Sequence, residues 1–166
     1  MAEYRLIGYE NRKLKREDFN NDKIDAGEIG AGHTVTALYE IALTGSGGER
    51  LENLRYGDKK TAPSEPPYGE ELAFLRLRYK APDGDTSKLL ERPLLRQAII
   101  ETLDKTSERY RFSAAVAAFG QQLRGGKYLE EFSYNDILSL ARGARGDDQF
   151  GYRAEFIKLV QPLSSE

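Results

Sequence analysis

Asp18, Asn20 and Asp22 stand at the spacing of the first three oxygen ligands of an EF-hand loop, within the acidic stretch Asp18-Phe-Asn-Asn-Asp22-Lys-Ile-Asp25-Ala-Gly-Glu28. Carboxylates and amide oxygens at alternate positions suit a hard cation such as calcium. The rest of the loop departs from that pattern. Lys23 stands where a sharp turn needs glycine, and Ile29 where a bidentate glutamate would close the shell. The competing interpretation is an Asx turn, in which a short side chain caps the local backbone. Gly27-Glu-Ile-Gly30-Ala-Gly32 follows at once, and a glycine loop can cradle phosphate when it lies between a strand and a helix. Here the glycines precede a strand-like run and Glu28 would repel an anion, so Gly27, Gly30 and Gly32 read as turn residues that supply positive φ. His33 is the one histidine. A general base needs an orienting partner and a nucleophile to serve, and no serine of the chain sits in a recognisable nucleophile setting. The carboxylate pairs Glu70-Glu71, Glu130-Glu131 and Asp147-Asp148 read as solvated turns or helix starts. No catalytic residue is assigned, and the chain is expected not to be an enzyme.

One further cluster could bind rather than react. Phe74, Arg76, Arg78 and Lys80 alternate with Ala73, Leu75, Leu77 and Tyr79, so one face of a strand would be basic and the other apolar. The ordinary role of such cations is to defend an exposed edge; the functional one is a docking face for an acidic partner. Together with Gly27, Gly30, Gly32 and His33, these four residues form the candidate interaction surface.

The elements that must position these residues follow from periodicity. Strands are expected near 4–11, 33–43, 72–81 and 88–95, the first bulged at Gly8. In the second, Val35, Ala37, Tyr39, Ile41 and Leu43 would face inward and Thr34, Thr36 and Glu40 outward. In the third, Ala73, Leu75, Leu77 and Tyr79 would face inward. Pro82-Asp-Gly-Asp85 is a turn signature that should fold the third strand onto the fourth. Residues 44–70 form a long Gly- and Pro-rich loop with an apolar stub at Leu51, Leu54 and Tyr56, and 96–104 read equally as strand or helix. Three helices follow, near 107–124, 134–142 and 148–161. Phe112, Val116, Phe119 and Leu123 recur at helical spacing among alanines that would let a neighbour approach closely. Thr106 or Ser107, Ser133 and Asp147 or Asp148 are the expected caps, with Gly125-Gly126 and Gly143 as stops. Strands before helices argue an α+β fold with an antiparallel sheet, in a single domain over 1–166.

Composition narrows the function further. The 166 residues carry a formal net charge of −2, with 39% hydrophobic and 31% charged residues. That is globular, and gives no electrostatic case for nucleic acid. The basic run Arg12, Lys13, Lys15 and Arg16 reads as a solvated turn. The absence of cysteine excludes disulfides and thiol chemistry. No apolar run approaches the roughly 18 residues that cross a bilayer.

Several blocks carry a resemblance: Tyr4–Arg12, Asp18-Phe-Asn20, Asp25–Glu40, Leu77–Pro82, Phe112–Gly120 and Tyr152–Phe156. Across nearly the whole chain they resemble the C-terminal domain of bacterial von Willebrand factor type A domain proteins of the YfbK type. The resemblance implies that a type A domain with an Asp-x-Ser-x-Ser metal site lies just before this region. That motif does not occur here, so a divalent metal is expected in the neighbouring domain and no cofactor in this chain. It also implies a C-terminal fragment, a cell-envelope setting, and a non-enzymatic accessory module for protein–protein adhesion or assembly. The partners expected are the adjacent type A domain, a further protein, and a second copy of the chain through open strand edges. The alternative is a small-ligand or metal-binding domain using the loop 18–33.

Overall fold

In a computed structural model, the described residues are 3–9, 14–24, 27–50 and 69–165. The fold is α+β, with strands in the N-terminal part and three helices after them. The chain forms two compact units, Met1–Val35 with Tyr39–Ile99, and Thr36–Leu38 with Ile100–Glu166.

Two two-stranded sheets are described. The first pairs β1 (Glu3–Ile7) with β2 (Leu38–Ala42). β1 is shorter than the sequence suggests, because Gly8 and Tyr9 both take positive φ, +75° and +57°, which ends an extended strand. β2 is likewise shorter, and its faces are the reverse of those expected. Tyr39 and Ile41 are exposed, whereas Glu40 is half-buried. The reason is electrostatic: the Glu40 carboxylate is paired with Arg5 of β1 and, at 2.8 Å, with Arg50.

The second sheet is the antiparallel hairpin of β3 (Glu71–Tyr79) and β4 (Lys88–Leu95). The turn signature acts as expected. Gly84 N–H donates to Ala81 O at 3.0 Å, Pro82 takes the first central position and Asp83 the second, with φ +59°; this is the sign sequence of a type II turn. The register opposes Leu77 with Leu90, Leu75 with Arg92, Arg76 with Glu91 and Phe74 with Pro93, and an irregularity interrupts it between Glu71 and Ala73. Residues 96–104 form neither strand nor α-helix. They contain two 3-10 turns, Arg96–Ala98 and Leu103–Lys105. The apolar stub Leu51, Leu54 and Tyr56, with most of the loop around it, lies outside the described residues, as do Arg12, Lys13 and Asp25.

The second unit is built from α1 (Glu108–Leu123), α2 (Tyr134–Gly143) and α3 (Tyr152–Val160). Each boundary has a local cause. Ser107 Oγ accepts from Tyr110 N–H at 3.2 Å. Gly126 N–H reaches back to Gln121 O and Gly125 N–H to Gln122 O, both at 3.0 Å, the bond pair of a Schellman stop, with Gly125 at φ +93°. Ser133 and Asp136 form a reciprocal capping box. α3 begins at Tyr152, later than the sequence suggests, yet Asp148 still serves its start. Its carboxylate accepts from Arg153 N–H at 3.0 Å and Ala154 N–H at 2.8 Å. These bonds hold the Asp148 carboxyl below the usual carboxylate range, with Arg145 and Arg153 adding charge in the same direction.

The core gathers Ala118, Phe119, Ile137, Leu138 and Val160, with Phe156, Tyr134 and Leu163 packed around it. The Phe119 ring meets Phe156 edge-on at 5.5 Å and Tyr134 at 6.2 Å. Ala115 and Ala118 are buried on α1, whereas Val116 and Leu123 are exposed. The alanines therefore make the packed face, because their small side chains let α1 and α2 close up, and the expected Phe/Val/Phe/Leu stripe is only half used. Every buried hydrophobic side chain among the described residues lies between Ala115 and Val160. The strand unit buries none of its described side chains.

Candidate interaction surface

The register of the hairpin places its side chains on two chemically different faces. Opposed residues of an antiparallel pair share a face. One face carries Phe74, Arg76 and Arg78 with Pro93, Glu91 and Leu89; the other carries Ala73, Leu75, Leu77 and Tyr79 with Leu94, Arg92, Leu90 and Lys88.

The charges of the first face are neutralised within the unit. Arg76 Nε lies 3.2 Å from Glu91 Oε1, and its guanidinium sits 5.2 Å from the centre of the Phe19 ring. Arg78 donates to Asn20 Oδ1 at 3.0 Å, to Asp22 Oδ1 at 3.1 Å and through Nε to Ser87 Oγ at 2.8 Å. Ser87 in turn donates both its hydroxyl and its amide to Asp22. The Ser87 bonds, with the charge of Arg78, hold the Asp22 carboxyl below the usual carboxylate range. A segment that resembles the start of a calcium loop thus clamps the hairpin. Its oxygens face a guanidinium, and Asn21 Oδ1 accepts from Lys23 N–H at 3.1 Å, an Asx turn. Among the described residues no group of three or more His, Asp or Glu side chains is placed to hold a metal.

The second face is the one that sequence alternation assigns to the core, and it is uncovered. Leu75, Leu77, Tyr79, Leu90 and Leu94 are each between 40 and 49% exposed. Lys88 and Arg92 stand among them without an ion-pair partner among the described residues. Among the described residues, one hairpin therefore has a face whose arginines are paired and a face whose leucines stand beside cations with no ion-pair partner. Contiguous apolar surface of this kind marks interaction sites.

Of the residues singled out from sequence, Phe74, Arg76 and Arg78 come together on the neutralised face, and Lys80 is exposed just past the end of β3. Gly27, Gly30, Gly32 and His33 lie apart, in an exposed stretch. There His33 N–H donates to Gly30 O at 3.1 Å and Gly32 takes φ +78°, so residues 30–33 form a tight turn, whereas Gly30 does not take the positive φ expected of it. The His33 ring nitrogen Nδ1 lies 3.2 Å from Ala31 O, inside that turn. Sequence reasoning missed Asp22 and Ser87 as the hairpin clamp. The one available signal was opposite charge, an acidic loop at 18–28 and arginines on the strand at 71–79, and Asp22 and Arg78 stand 56 residues apart.

The family model for the C-terminal region of the uncharacterized protein YfbK matches residues 1–165. A curated relative, the uncharacterized protein YfbK of Escherichia coli (strain K12), is 48% identical over 162 residues. The match takes in 97% of this chain and 27% of the relative, so the chain spans about a quarter of that protein's length. No solved structure matches the chain. With the family model covering the chain almost end to end, this protein belongs to the YfbK C-terminal domain family.

Proposed function

We propose that this chain is a non-enzymatic interaction module that docks, through the leucine face of its β3–β4 hairpin, onto the rest of a longer polypeptide. By the family resemblance the neighbour is a von Willebrand type A domain, and the module serves protein–protein adhesion or assembly. The observation that carries this reading is the uncovered face itself: five large apolar side chains on one side of a hairpin whose unit buries none of its described side chains. A two-stranded sheet with one apolar face is marginal alone in water and gains from a third layer. Lys88 and Arg92, without an ion-pair partner among the described residues, suit a partner surface that brings carboxylates to the rim of the contact.

Calorimetric titration of this chain into the separately expressed remainder of the longer protein, with and without magnesium, tests the proposal. Saturable binding at or below micromolar concentration is expected, lost when Leu77 is replaced by Glu. A magnesium dependence would tie the contact to the type A metal site. Absence of heat with tens of micromolar of both components overturns it.

A further inference from the structure

Beyond the leucine face, the hairpin has a second unsatisfied feature, the outer edge of β3. Among the described residues no backbone group pairs with that edge, since the sheet holds β3 and β4 alone. A nine-residue strand whose outer N–H and C=O groups have no backbone partner among the described residues is a template for another strand. The outer edge of β4 is a poorer one. Pro93 lies within β4 and brings no N–H, and proline in a sheet is confined to edge strands and bulges.

We propose that the β3 edge pairs with the β3 edge of a second copy of this chain, antiparallel and two-fold symmetric about Leu75. Leu75 is the middle residue of Glu71–Tyr79, so this register carries the pairing furthest along the strand, as far as its irregularity between Glu71 and Ala73. It opposes Leu75 with Leu75 of the second copy, Ala73 with Leu77 and Phe74 with Arg76, all within the regular stretch beyond the irregularity at Glu71–Ala73. No like charges face each other. Neighbouring registers are worse. A dyad on Arg76 sets two guanidiniums face to face, and one on Leu77 opposes Arg76 with Arg78 twice; like charges directly opposite destabilise a sheet. A dyad on Phe74 avoids that clash but leaves Arg78 and Tyr79 unpaired. Pairing about Leu75 builds one four-stranded sheet in the order β4-β3-β3-β4 and joins the two leucine faces into a single apolar surface. An isologous contact of this kind closes on itself and does not grow into a filament.

The chain has no cysteine, which gives a clean background for the test. Opposed residues of an antiparallel pair have Cα atoms about 4.5–5.5 Å apart, inside the span of a disulfide. Single variants Leu75→Cys, Phe74→Cys, Ala73→Cys and Leu77→Cys of the full chain are oxidised mildly and resolved on denaturing gels, with sedimentation equilibrium of the unmodified chain alongside. The expected result is a dimer by sedimentation, efficient self-crosslinking of Leu75→Cys, and none of Ala73→Cys or Leu77→Cys alone. Those positions lie four residues from their own copies, about 14 Å along the strand. An equimolar mixture of Ala73→Cys and Leu77→Cys should crosslink. A monomer at ~100 µM, more than ten times the concentration at which a micromolar dimer assembles, overturns the proposal. So does a dimer in which Leu75→Cys does not crosslink, or one crosslinked best through Phe74→Cys. None of these readouts involves the remainder of the longer protein, so the dimer and the docking face can fail separately.

Discussion

Replacing Leu90 and Leu94 by alanine separates a docking face from an ordinary sheet face. Leu90 is 46% and Leu94 is 40% exposed. Fully burying a leucine is worth about 1.5–3 kcal/mol, so the part still open to a partner is worth about 1 kcal/mol for each residue. The double variant should therefore weaken binding to the remainder of the protein by about 2 kcal/mol, roughly 30-fold in Kd. Its own folding stability should fall only by the portion already covered, about 2–3 kcal/mol in all, below the 2–5 kcal/mol per residue of a core leucine. Leu89→Ala is the internal control. It removes the same side chain at a similar exposure, 43%, from the opposite face beside Arg78, and should leave Kd unchanged. Calorimetry supplies the affinities and urea titration the stabilities. Two results would refute the reasoning: Leu89→Ala weakening the complex as much as the double variant, or a stability loss of core size with no change in Kd. Either would mean that the paired charges of the first face do not distinguish it from the leucine face.

Other perturbations test the structure around that face. Phe119 is only 8% exposed and meets two further rings, so Phe119→Ala should cost about 3–5 kcal/mol in urea unfolding, enough to unfold a marginal helical unit. Ser133→Ala removes half of the capping box at the start of α2 and should cost about 1 kcal/mol by the same measurement. Gly151 takes φ +73° at the start of α3, and a Cβ added there would meet nothing within 4 Å, so Gly151→Ala should cost about 1 kcal/mol of pure backbone strain, recovered when D-alanine is placed there by synthesis. Because the Asp22 carboxyl is held below its ordinary value, its clamp contributes fully above the unfolded-state value near pH 4 and is lost as pH falls through the lower folded value. The Ser87 amide resonance should report that transition, and Asp22→Asn should abolish its pH dependence.

How much of this was legible in the sequence depended on range. Helix ends are decided within a few residues: Ser107, Ser133 and Gly125 act where their types and spacing put them, and Asp148 serves the start of α3 from four residues before it. The hairpin was legible for the same reason, since Pro82-Asp-Gly-Asp85 lies between two runs of period two. The faces of the strands were not. Alternation says that two faces differ but not which is covered, and that choice was made by residues far away in sequence: Arg50 and Arg5 for Glu40, Asp22 and Asn20 for Arg78. In β2 the ion pairs drew the polar face inward. In β3 they paired the cations of the basic face, and both faces keep apolar side chains partly open. α1 erred in a milder way, because helical spacing marks Val116 and Leu123 as apolar but cannot show that alanines take the contact with α2.

The same contrast decides which kind of partner the leucine face favours. The helical unit closes a core of its own, with Ile137 and Val160 fully buried; the strand unit has none among the described residues. Five side chains on the face each keep a little under half of their surface open, which at about 1 kcal/mol apiece leaves roughly 5 kcal/mol unrealised, the lower bound of a small domain's whole stability. A freely diffusing partner must spend an amount of this order on lost translation and rotation alone, so the micromolar binding expected of the separated remainder must also draw on the partner's own apolar surface and on its carboxylates at Lys88 and Arg92. A partner on the same polypeptide escapes most of that cost, because the tether holds it at millimolar effective concentration. The size of the face therefore argues for a neighbour in the same chain, with association between separate molecules resting on the backbone bonds of the β3 edge.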